Sequence, residues 1–182
     1  MKRRSTTESI VLVLGGARSG KSAYAEERAL ALRAPRKRAL YLATAEAGDG
    51  EMAARIQAHR ARRGSAWLTH EEPLDLTGAI ARHAAPGAPI LVDCLTLWLS
   101  NLLHSRIDPD AAAETLCAGL AAAKGPVVLV SNEVGLGIVP DNKLARDFRD
   151  AAGRLHQRVA RTARDVVFVA AGLPLALKGK TK

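Results

Sequence analysis

The residues with the strongest chemical signature lie at positions 15–22, Gly-Gly-Ala-Arg-Ser-Gly-Lys-Ser. They fit the spacing G-x-x-x-x-G-K-[ST] at every fixed position and directly follow an apolar run at 10–14. A buried strand that ends in a glycine-rich turn and opens a helix points successive backbone N–H groups at one spot, where the helix dipole adds partial positive charge. The segment therefore predicts a phosphate-binding loop (P-loop) for a nucleoside triphosphate.

Three side chains are expected to act on the bound phosphates and their metal ion. Lys21 is placed to reach the β- and γ-phosphates, and the Ser22 hydroxyl to complete the coordination shell of a phosphate-bound Mg²⁺. Asp93 follows the apolar run at 90–92, at the carboxyl end of a predicted strand, where open α/β sheets bind ligands. A carboxylate there either binds Mg²⁺, directly or through water, or caps the helix predicted at 95–103.

The elements that position these residues alternate between strands and helices. Further apolar runs of strand length are at 39–44, 90–93, 127–131 and 166–170. Helical patterns lie between them at 23–32, at 109–123 behind Asp108-Pro109, and at 144–159. This alternation predicts an α/β fold with a mostly parallel sheet flanked by helices, plus a short edge strand at 175–177. We expect a single domain over residues 1–182, with flexible tails at 1–9 and 178–182.

The net charge of +9 first suggests a nucleic-acid partner. Residues 1–9 carry a net +2 and residues 178–182 a net +3, so more than half of the excess lies in the predicted tails. With only 3% aromatic residues, the chain also has little surface on which single-stranded bases could stack. No nucleic-acid partner is therefore expected. A nucleotide-dependent nucleic-acid-binding protein is the alternative, and DNA affinity that falls steeply with salt would support it.

The cysteine content and hydropathy bear on the expected compartment. Cys94 and Cys117 have neither metal-ligand spacing nor the density of a disulfide framework, which favours small core residues in a reducing cytoplasm. No uncharged apolar run reaches the length of about 18 residues that a membrane span needs. The run at 10–14 is too short for a signal peptide, so we expect a soluble cytoplasmic protein.

A second segment with chemical potential covers residues 49–63. It predicts a helix capped at Asp49, in which Arg55 and Arg63 lie four residues on either side of His59. Neighbouring cations disfavour the protonated imidazole and can hold a triphosphate, as a nucleophilic histidine requires. On spacing alone, a surface histidine in a solvated basic helix is the simpler interpretation.

Several other segments occur in an order typical of one family. After the P-loop these are Tyr-Leu-Ala-Thr at 41–44, Glu-Met-Ala-Ala-Arg-Ile at 51–56, His-Arg at 59–60, Trp67 with Thr69 and Glu71, Asp-Cys-Leu-Thr at 93–96, and Ser-Asn-Glu-Val-Gly-Leu-Gly-Ile-Val-Pro at 131–140. From about residue 10 to 177 the chain resembles the bifunctional adenosylcobinamide kinase/adenosylcobinamide-phosphate guanylyltransferases of cobalamin synthesis. The P-loop alone is generic, but its combination with the His-Arg helix and the 131–140 segment is specific.

The resemblance implies a RecA-like P-loop fold, a trimer and two reactions. ATP or GTP phosphorylates the aminopropanol hydroxyl of adenosylcobinamide, and GTP then donates GMP to that phosphate through a guanylylated histidine. The implied products are adenosylcobinamide-GDP and pyrophosphate. His59 matches the histidine and joins Lys21 as a catalytic residue, while Ser22 and Asp93 are the implied metal ligands.

The nucleotide-binding residues implied by the match form a larger set. They are Gly15, Gly16, Ala17, Arg18, Ser19, Gly20, Lys21, Ser22, Ala43, Thr44, Ala45, Arg60, Ala61, Arg62, Arg63, Glu71 and Asp93. The chain departs from some relatives at two positions, with Ala58-His59 in place of two histidines and Asp93 in place of glutamate. The shorter Asp93 leaves open how the metal or the ribose is held.

Alternatives stay open for the remaining candidates. A plain P-loop kinase in which His59 is idle is the competing enzyme function. Asn132 and Glu133 either orient the corrinoid hydroxyl or the metal, or bond to their own loop backbone. Trp67 is expected to be a core or interface anchor. The histidines expected at the surface or in helix packing are His70, His83, His104 and His156.

Overall fold

The computed structural model of the chain describes residues 10–45 and 64–180, and the elements below are numbered within those ranges. The strands are β1 (Ile10–Gly15), β2 (Ala39–Ala43), β3 (Trp67–Glu71), β4 (Ile90–Asp93), β5 (Val127–Asn132), β6 (Asp165–Ala170) and β7 (Leu173–Lys178). The helices are α1 (Lys21–Ala31), α2 (Leu76–His83), α3 (Leu95–His104), α4 (Pro109–Ala122) and α5 (Lys143–Thr162).

The strands form one seven-stranded sheet in the order β3-β2-β4-β5-β1-β6-β7. All neighbouring pairs are parallel except β6 and β7, so the predicted α/β fold with a mostly parallel sheet is confirmed. In this register Gly15 lies opposite Asn132, and Asp93 lies opposite Val130. The carboxyl ends of β1, β5 and β4 therefore meet at the same edge of the sheet.

Two apolar layers cover the sheet, and alternate residues of the central strands enter them. Leu12 of β1 faces the layer formed by α2, α3, α4 and α5, whereas Val13 faces the layer that contains Ala25 and Ala29 of α1. Every residue of β1 is buried because both faces are covered. This burial explains why the central strands are continuous apolar runs instead of alternating ones.

Side-chain caps fix the starts of the longer helices. The Asp108 carboxylate accepts a hydrogen bond from Asp110 N and Pro109 occupies the first turn of α4, which confirms the predicted start. Asn142 caps α5 through Ala145 N. Among the helices in the described ranges, none is both long enough and apolar enough to cross a membrane.

The structure differs from the sequence-based expectations at three places. Neither strand β3 nor helix α2 is predicted from the sequence. Strand β3 has a weak signal because it is an edge strand in which Trp67 alone is buried. Lys178, which the sequence assigns to a flexible tail, instead ends β7. Its Nζ donates hydrogen bonds to Ala160 O at 2.9 Å and Ala163 O at 2.6 Å. These bonds satisfy carbonyls at the end of α5, which explains the order at this position.

A buried ion pair joins α1 to the first residue of β6. Arg28 Nη2 lies 3.0 Å from Asp165 Oδ2, and both side chains are mostly shielded from solvent. Asp165 Oδ1 also accepts a hydrogen bond from Lys180 N at 3.2 Å. The carboxylate thus connects α1, β6 and the chain after β7 at the sheet edge opposite the P-loop, since Asp165 lies beside Val11 at the start of β1.

We predict that Asp165→Ala lowers the free energy of unfolding by about 3 kcal/mol, because it leaves the Arg28 guanidinium buried without its carboxylate. Urea unfolding at neutral pH measures this change. Asp147→Ala is the matched control, since it removes an exposed ion pair to Lys143 and should cost less than about 1 kcal/mol. Equal losses in the two variants would contradict the role of the buried pair.

Candidate active site

The P-loop between β1 and α1 forms a concave backbone turn. Ser19 N donates to Gly16 O at 3.3 Å, and Tyr24 N donates to Gly20 O at 3.1 Å as α1 begins. Arg18 and Gly20 have φ values of 55° and 94°, which reverse the chain direction within the loop. A strand, a tight turn and a helix N-terminus therefore follow one another as an anion-binding site requires.

Lys21 points into the loop that precedes it. Its side chain is buried, and its Nζ donates a hydrogen bond to Gly16 O at 3.1 Å. Ser22 follows it in the first turn of α1 and is half-buried. An ammonium group held across the loop mouth is positioned to meet the oxygens of a polyphosphate.

The Ser19 hydroxyl is the observation that points most directly to a ligand. Ser19 Oγ is buried and, within the described part of the chain, has no hydrogen-bond partner. An unpaired buried hydroxyl is unfavourable, so a ligand oxygen at the loop would complete its bonding. The loop residues present therefore fit a bound phosphate.

Asp93 ends β4 at the same sheet edge, with β5 between it and β1. Its Oδ2 accepts a hydrogen bond from Tyr41 OH at 2.7 Å, which holds the half-buried carboxylate in place. Tyr41 in turn packs edge-to-face on Trp67, whose ring centroid is 6.2 Å away. Trp67 is buried and thus confirms the expected core anchor.

The turn after β2 is held by Thr44, which is fully buried. Its Oγ1 donates to Cys94 O and accepts from Cys94 N, both at 2.8 Å, and its carbonyl accepts from Asn101 Nδ2 at 2.8 Å. The structure thus gives Thr44 a role in joining the ends of β2 and β4. Ala43 is buried and Ala45 is half-buried, so Ala45 is the more accessible of the two flanking residues.

The donor set at this edge suits a hard divalent cation. The Ser22 hydroxyl and the Asp93 carboxylate both supply oxygen, the element that Mg²⁺ prefers. Across residues 10–45 and 64–180, no group of three His, Cys, Asp or Glu side chains could hold a metal by itself. A metal at this edge therefore needs phosphate oxygens as additional ligands.

Glu71 lies farther along the sheet edge. It ends β3 opposite Ala43, and its side chain is exposed. Strand β3 is the fourth strand from β1 in the sheet. At about 4.8 Å per strand it is roughly 19 Å from the P-loop strand, beyond reach of the same phosphates. His59, Arg60, Ala61, Arg62 and Arg63 lie outside the described residues. Their predicted roles stay predictions, as does that of Glu71.

A mostly buried polar cluster at the end of β5 lies between the P-loop and Asp93. His156 Nε2 of α5 is 2.7 Å from Ser131 Oγ, and His156 Nδ1 is 3.6 Å from Glu133 Oε2. Thr96 Oγ1 accepts hydrogen bonds from Asn132 N at 2.9 Å and Asn132 Nδ2 at 3.0 Å. We call these five residues the β5-end cluster.

The contacts of the cluster bear on the sequence-based expectations for three of its members. Glu133 Oε1 accepts from Gly135 N at 2.5 Å, as the loop-backbone alternative predicts, but Oε2 faces α5. Asn132 bonds to Thr96 and not to its own loop. His156, expected at the surface or in helix packing, is buried against Ser131. Its local signal in the sequence is its position in the apolar stripe of α5, beside Leu155 and Val159.

Burial lowers the pKa of His156 below its ordinary value, although the Glu133 carboxylate opposes this shift by favouring the charged imidazole. The folded protein therefore favours the neutral ring. Because the unfolded chain binds the proton more readily, acidification favours unfolding.

Comparison with solved structures supports the class indicated by this fold and loop. A Pyrococcus horikoshii OT3 protein, PH0250, aligns with 97% of this chain and 88% of its own at TM-score 0.57 and 8% identity. A solved ATPase domain aligns with 89% of this chain and 69% of its own at TM-score 0.50 and 14% identity. The KaiC-like protein PH0186 of Pyrococcus horikoshii OT3 aligns with 88% of this chain and 70% of its own at TM-score 0.50 and 12% identity. The chain has the fold of the P-loop nucleoside triphosphatases.

Sequence comparison then identifies the family. Residues 11–177 match the family described as cobinamide kinase/cobinamide phosphate guanyltransferase, and the chain belongs to that family of transferases. The bifunctional adenosylcobalamin biosynthesis protein CobP of Pseudomonas aeruginosa PAO1 is 50% identical over 93% of this chain and 97% of its own. The protein CobU of Salmonella typhimurium LT2 is 42% identical over 93% of this chain and 99% of its own.

We predict that the wild type loses stability more steeply than His156→Phe as the pH falls from 7.5 to 5.5. The folded-state pKa of His156 lies below the unfolded value, so its contribution declines by up to about 1.4 kcal/mol per pH unit once the pH drops below about 6.5. Urea unfolding at several pH values measures the difference. His104→Phe, at an exposed position on α3, is the control, and parallel curves for wild type and His156→Phe would contradict the prediction.

Proposed function

We propose that this protein phosphorylates the aminopropanol hydroxyl of adenosylcobinamide with ATP or GTP, and then transfers GMP from GTP to the resulting phosphate. The products of the second reaction are adenosylcobinamide-GDP and pyrophosphate. Membership of the cobinamide kinase/cobinamide phosphate guanyltransferase family supports the pair of reactions. The observation that carries the nucleotide part is the P-loop, in which Lys21 spans the turn and the buried Ser19 hydroxyl lacks a protein partner among the described residues.

In the kinase step the substrate hydroxyl attacks the γ-phosphorus, and the bridging bond to the β-phosphate breaks. Negative charge then builds on the transferring group and on the departing diphosphate oxygen. Lys21 is the fixed cation of the loop, and the backbone N–H groups at the start of α1 add their partial positive charge. These groups stabilise charge without reorganising during the reaction.

Mg²⁺ is the proposed metal ion, with Ser22 and Asp93 as its protein ligands. When bound, it would neutralise phosphate charge and orient the chain of phosphates. The bond from Tyr41 OH occupies one oxygen of Asp93 at 2.7 Å, which restricts the direction in which the carboxylate faces. Asp93 is therefore held by a contact within the protein.

In the guanylyltransferase step His59 is the proposed nucleophile. Its imidazole nitrogen attacks the α-phosphorus of GTP and pyrophosphate leaves, which forms a P–N bond. A phosphate oxygen of the first product then attacks the same phosphorus, forming the diphosphate and releasing the histidine. The support is the resemblance of the His-Arg segment at 59–60 to the family pattern, and these residues lie within the matched range 11–177.

We also propose that the protein is a homotrimer. The family resemblance suggests this state, and β7 supports self-association because it exposes Leu173, Leu175 and Leu177 in a row at the sheet edge. Each of these side chains is more than half exposed. Monomeric proteins rarely leave such a row uncovered.

We predict that Lys21→Ala lowers the rate of adenosylcobinamide phosphorylation at least about 100-fold, because the transition state loses its fixed cation. The fold should persist, since the loop backbone is unchanged. The measurement is product formation from γ-labelled nucleotide. Lys124→Ala, at an exposed position before β5, is the matched control. Near-normal turnover in folded Lys21→Ala would contradict the assignment.

We predict that GTP labelled at the α-phosphate leaves a protein adduct that survives alkali and is lost in mild acid, as expected of a P–N bond. His59→Ala should lack the adduct but keep kinase activity, because Lys21, Ser22 and Asp93 are unchanged. His83→Ala, an exposed histidine on α2, should retain both. An adduct that persists in His59→Ala would place the nucleophile elsewhere.

A further inference from the structure

The β5-end cluster lies between the two parts of the active site. Strand β5 pairs with the P-loop strand β1 on one side and with the Asp93 strand β4 on the other. Glu133 N donates a hydrogen bond to Gly15 O at 3.0 Å, which ties its backbone to the first residue of the loop. The Glu133 side chain is 22% exposed, so its carboxylate reaches the sheet edge from a largely enclosed position.

The hydrogen bonds of the cluster have a defined direction. Thr96 Oγ1 receives two N–H groups from Asn132, so its own proton is free to point to Ser131 Oγ at 3.5 Å or Cys94 Sγ at 3.4 Å. Ser131 Oγ is 2.7 Å from His156 Nε2. The other ring nitrogen, Nδ1, faces a carboxylate oxygen of Glu133.

This arrangement selects one tautomer of the neutral imidazole. A lone pair on Nδ1 would face the negative Glu133 carboxylate, which is repulsive, whereas an Nδ1–H group would be attracted to it. With the proton on Nδ1, Nε2 accepts the hydroxyl hydrogen of Ser131. The ring thus links Ser131 on one side with Glu133 on the other.

We propose that His156 is a positioning residue for the kinase step, and that it holds the Glu133 carboxylate beside the P-loop as the proton acceptor for the attacking hydroxyl. This inference rests on the proposed phosphorylation of a substrate hydroxyl. The hydroxyl oxygen forms a bond to the γ-phosphorus, and the electron pair of the broken β–γ bridge leaves on the nucleoside diphosphate. The hydroxyl proton moves to Glu133 and from there to water.

Position and existing contacts favour Glu133 over Asp93 for this task. Asp93 is the carboxylate assigned to the metal, and its strand β4 is one strand farther from β1. Glu133 directly follows β5, the strand next to β1, where Gly135 N donates to its Oε1 and His156 Nδ1 lies 3.6 Å from its Oε2. A carboxylate with a hydrogen bond on one oxygen and a ring N–H facing the other has few rotamers left, which favours a fixed approach of the hydroxyl.

Steady-state kinetics of adenosylcobinamide phosphorylation test the proposal in wild type, Glu133→Gln, His156→Phe, His156→Asn and the Glu133→Gln/His156→Phe double variant. We expect kcat to fall about 100-fold in Glu133→Gln and about 10-fold in His156→Phe, with KM for the nucleotide within about twofold of wild type. His156→Asn places an amide N–H near the Nδ1 position and should recover most of the loss. His104→Phe is the matched control at an exposed position.

The double variant separates positioning from general stability. If His156 acts through Glu133, the double variant is no slower than Glu133→Gln alone, whereas independent effects multiply. Multiplied effects, or an unchanged kcat in either single variant, would overturn the proposal. A wild type that cannot phosphorylate adenosylcobinamide would instead reject the proposed function itself.

A spectroscopic measurement tests the geometry even where a variant does not fold. Nitrogen-15 NMR of histidine-labelled wild type at neutral pH should show His156 protonated at Nδ1 and unprotonated at Nε2. His156→Asn, or His156→Phe where folded, assigns the signal. The opposite tautomer would overturn the link to Glu133.

Discussion

The close approach of three backbone segments at Gly15 is the constraint on which the site depends. A β-carbon at this position would lie 2.5 Å from Val169 O and 2.6 Å from Ser19 Oγ, so only glycine fits. Glu133 N donates to Gly15 O, and Gly172 N donates to Ser19 O, which ties the loop to β5 and to the turn between β6 and β7. These contacts hold the loop concave, so its N–H groups need little reorganisation to meet phosphate.

The parallel register places further polar residues along the sheet edge beside the P-loop. Because β5 lies between β1 and β4, the chain that follows Asn132 begins between the P-loop and Asp93. Helix α5 packs against the sheet there, and its His156 contacts Ser131 near the end of β5. The same helix thus contributes apolar side chains to the core and one ring to the end of β5.

Much of the fold could be predicted because the central strands carry a strong local signal. Strands β1, β4, β5 and β6 are covered on both faces, so each is an uninterrupted apolar run whose ends are easy to locate. Strand β3 escapes such a prediction because it lies at the sheet edge and exposes Leu68. The ordered position of Lys178 could not be predicted either, because its hydrogen bonds to the end of α5 depend on packing and leave no local sequence pattern.

The sequence by itself determined the phosphate loop, the order of its strand and helix, and the family, because these depend on residues that are neighbours along the chain. The tertiary structure alone decided which distant groups meet. Ser131 and His156 are 25 residues apart, and Arg28 and Asp165 are 137 apart. Their contacts depend on strand register and helix packing, which are set by the burial of the whole core and not by any local spacing. A histidine in an apolar stripe becomes a polar link only where the sheet places a serine and a carboxylate opposite it.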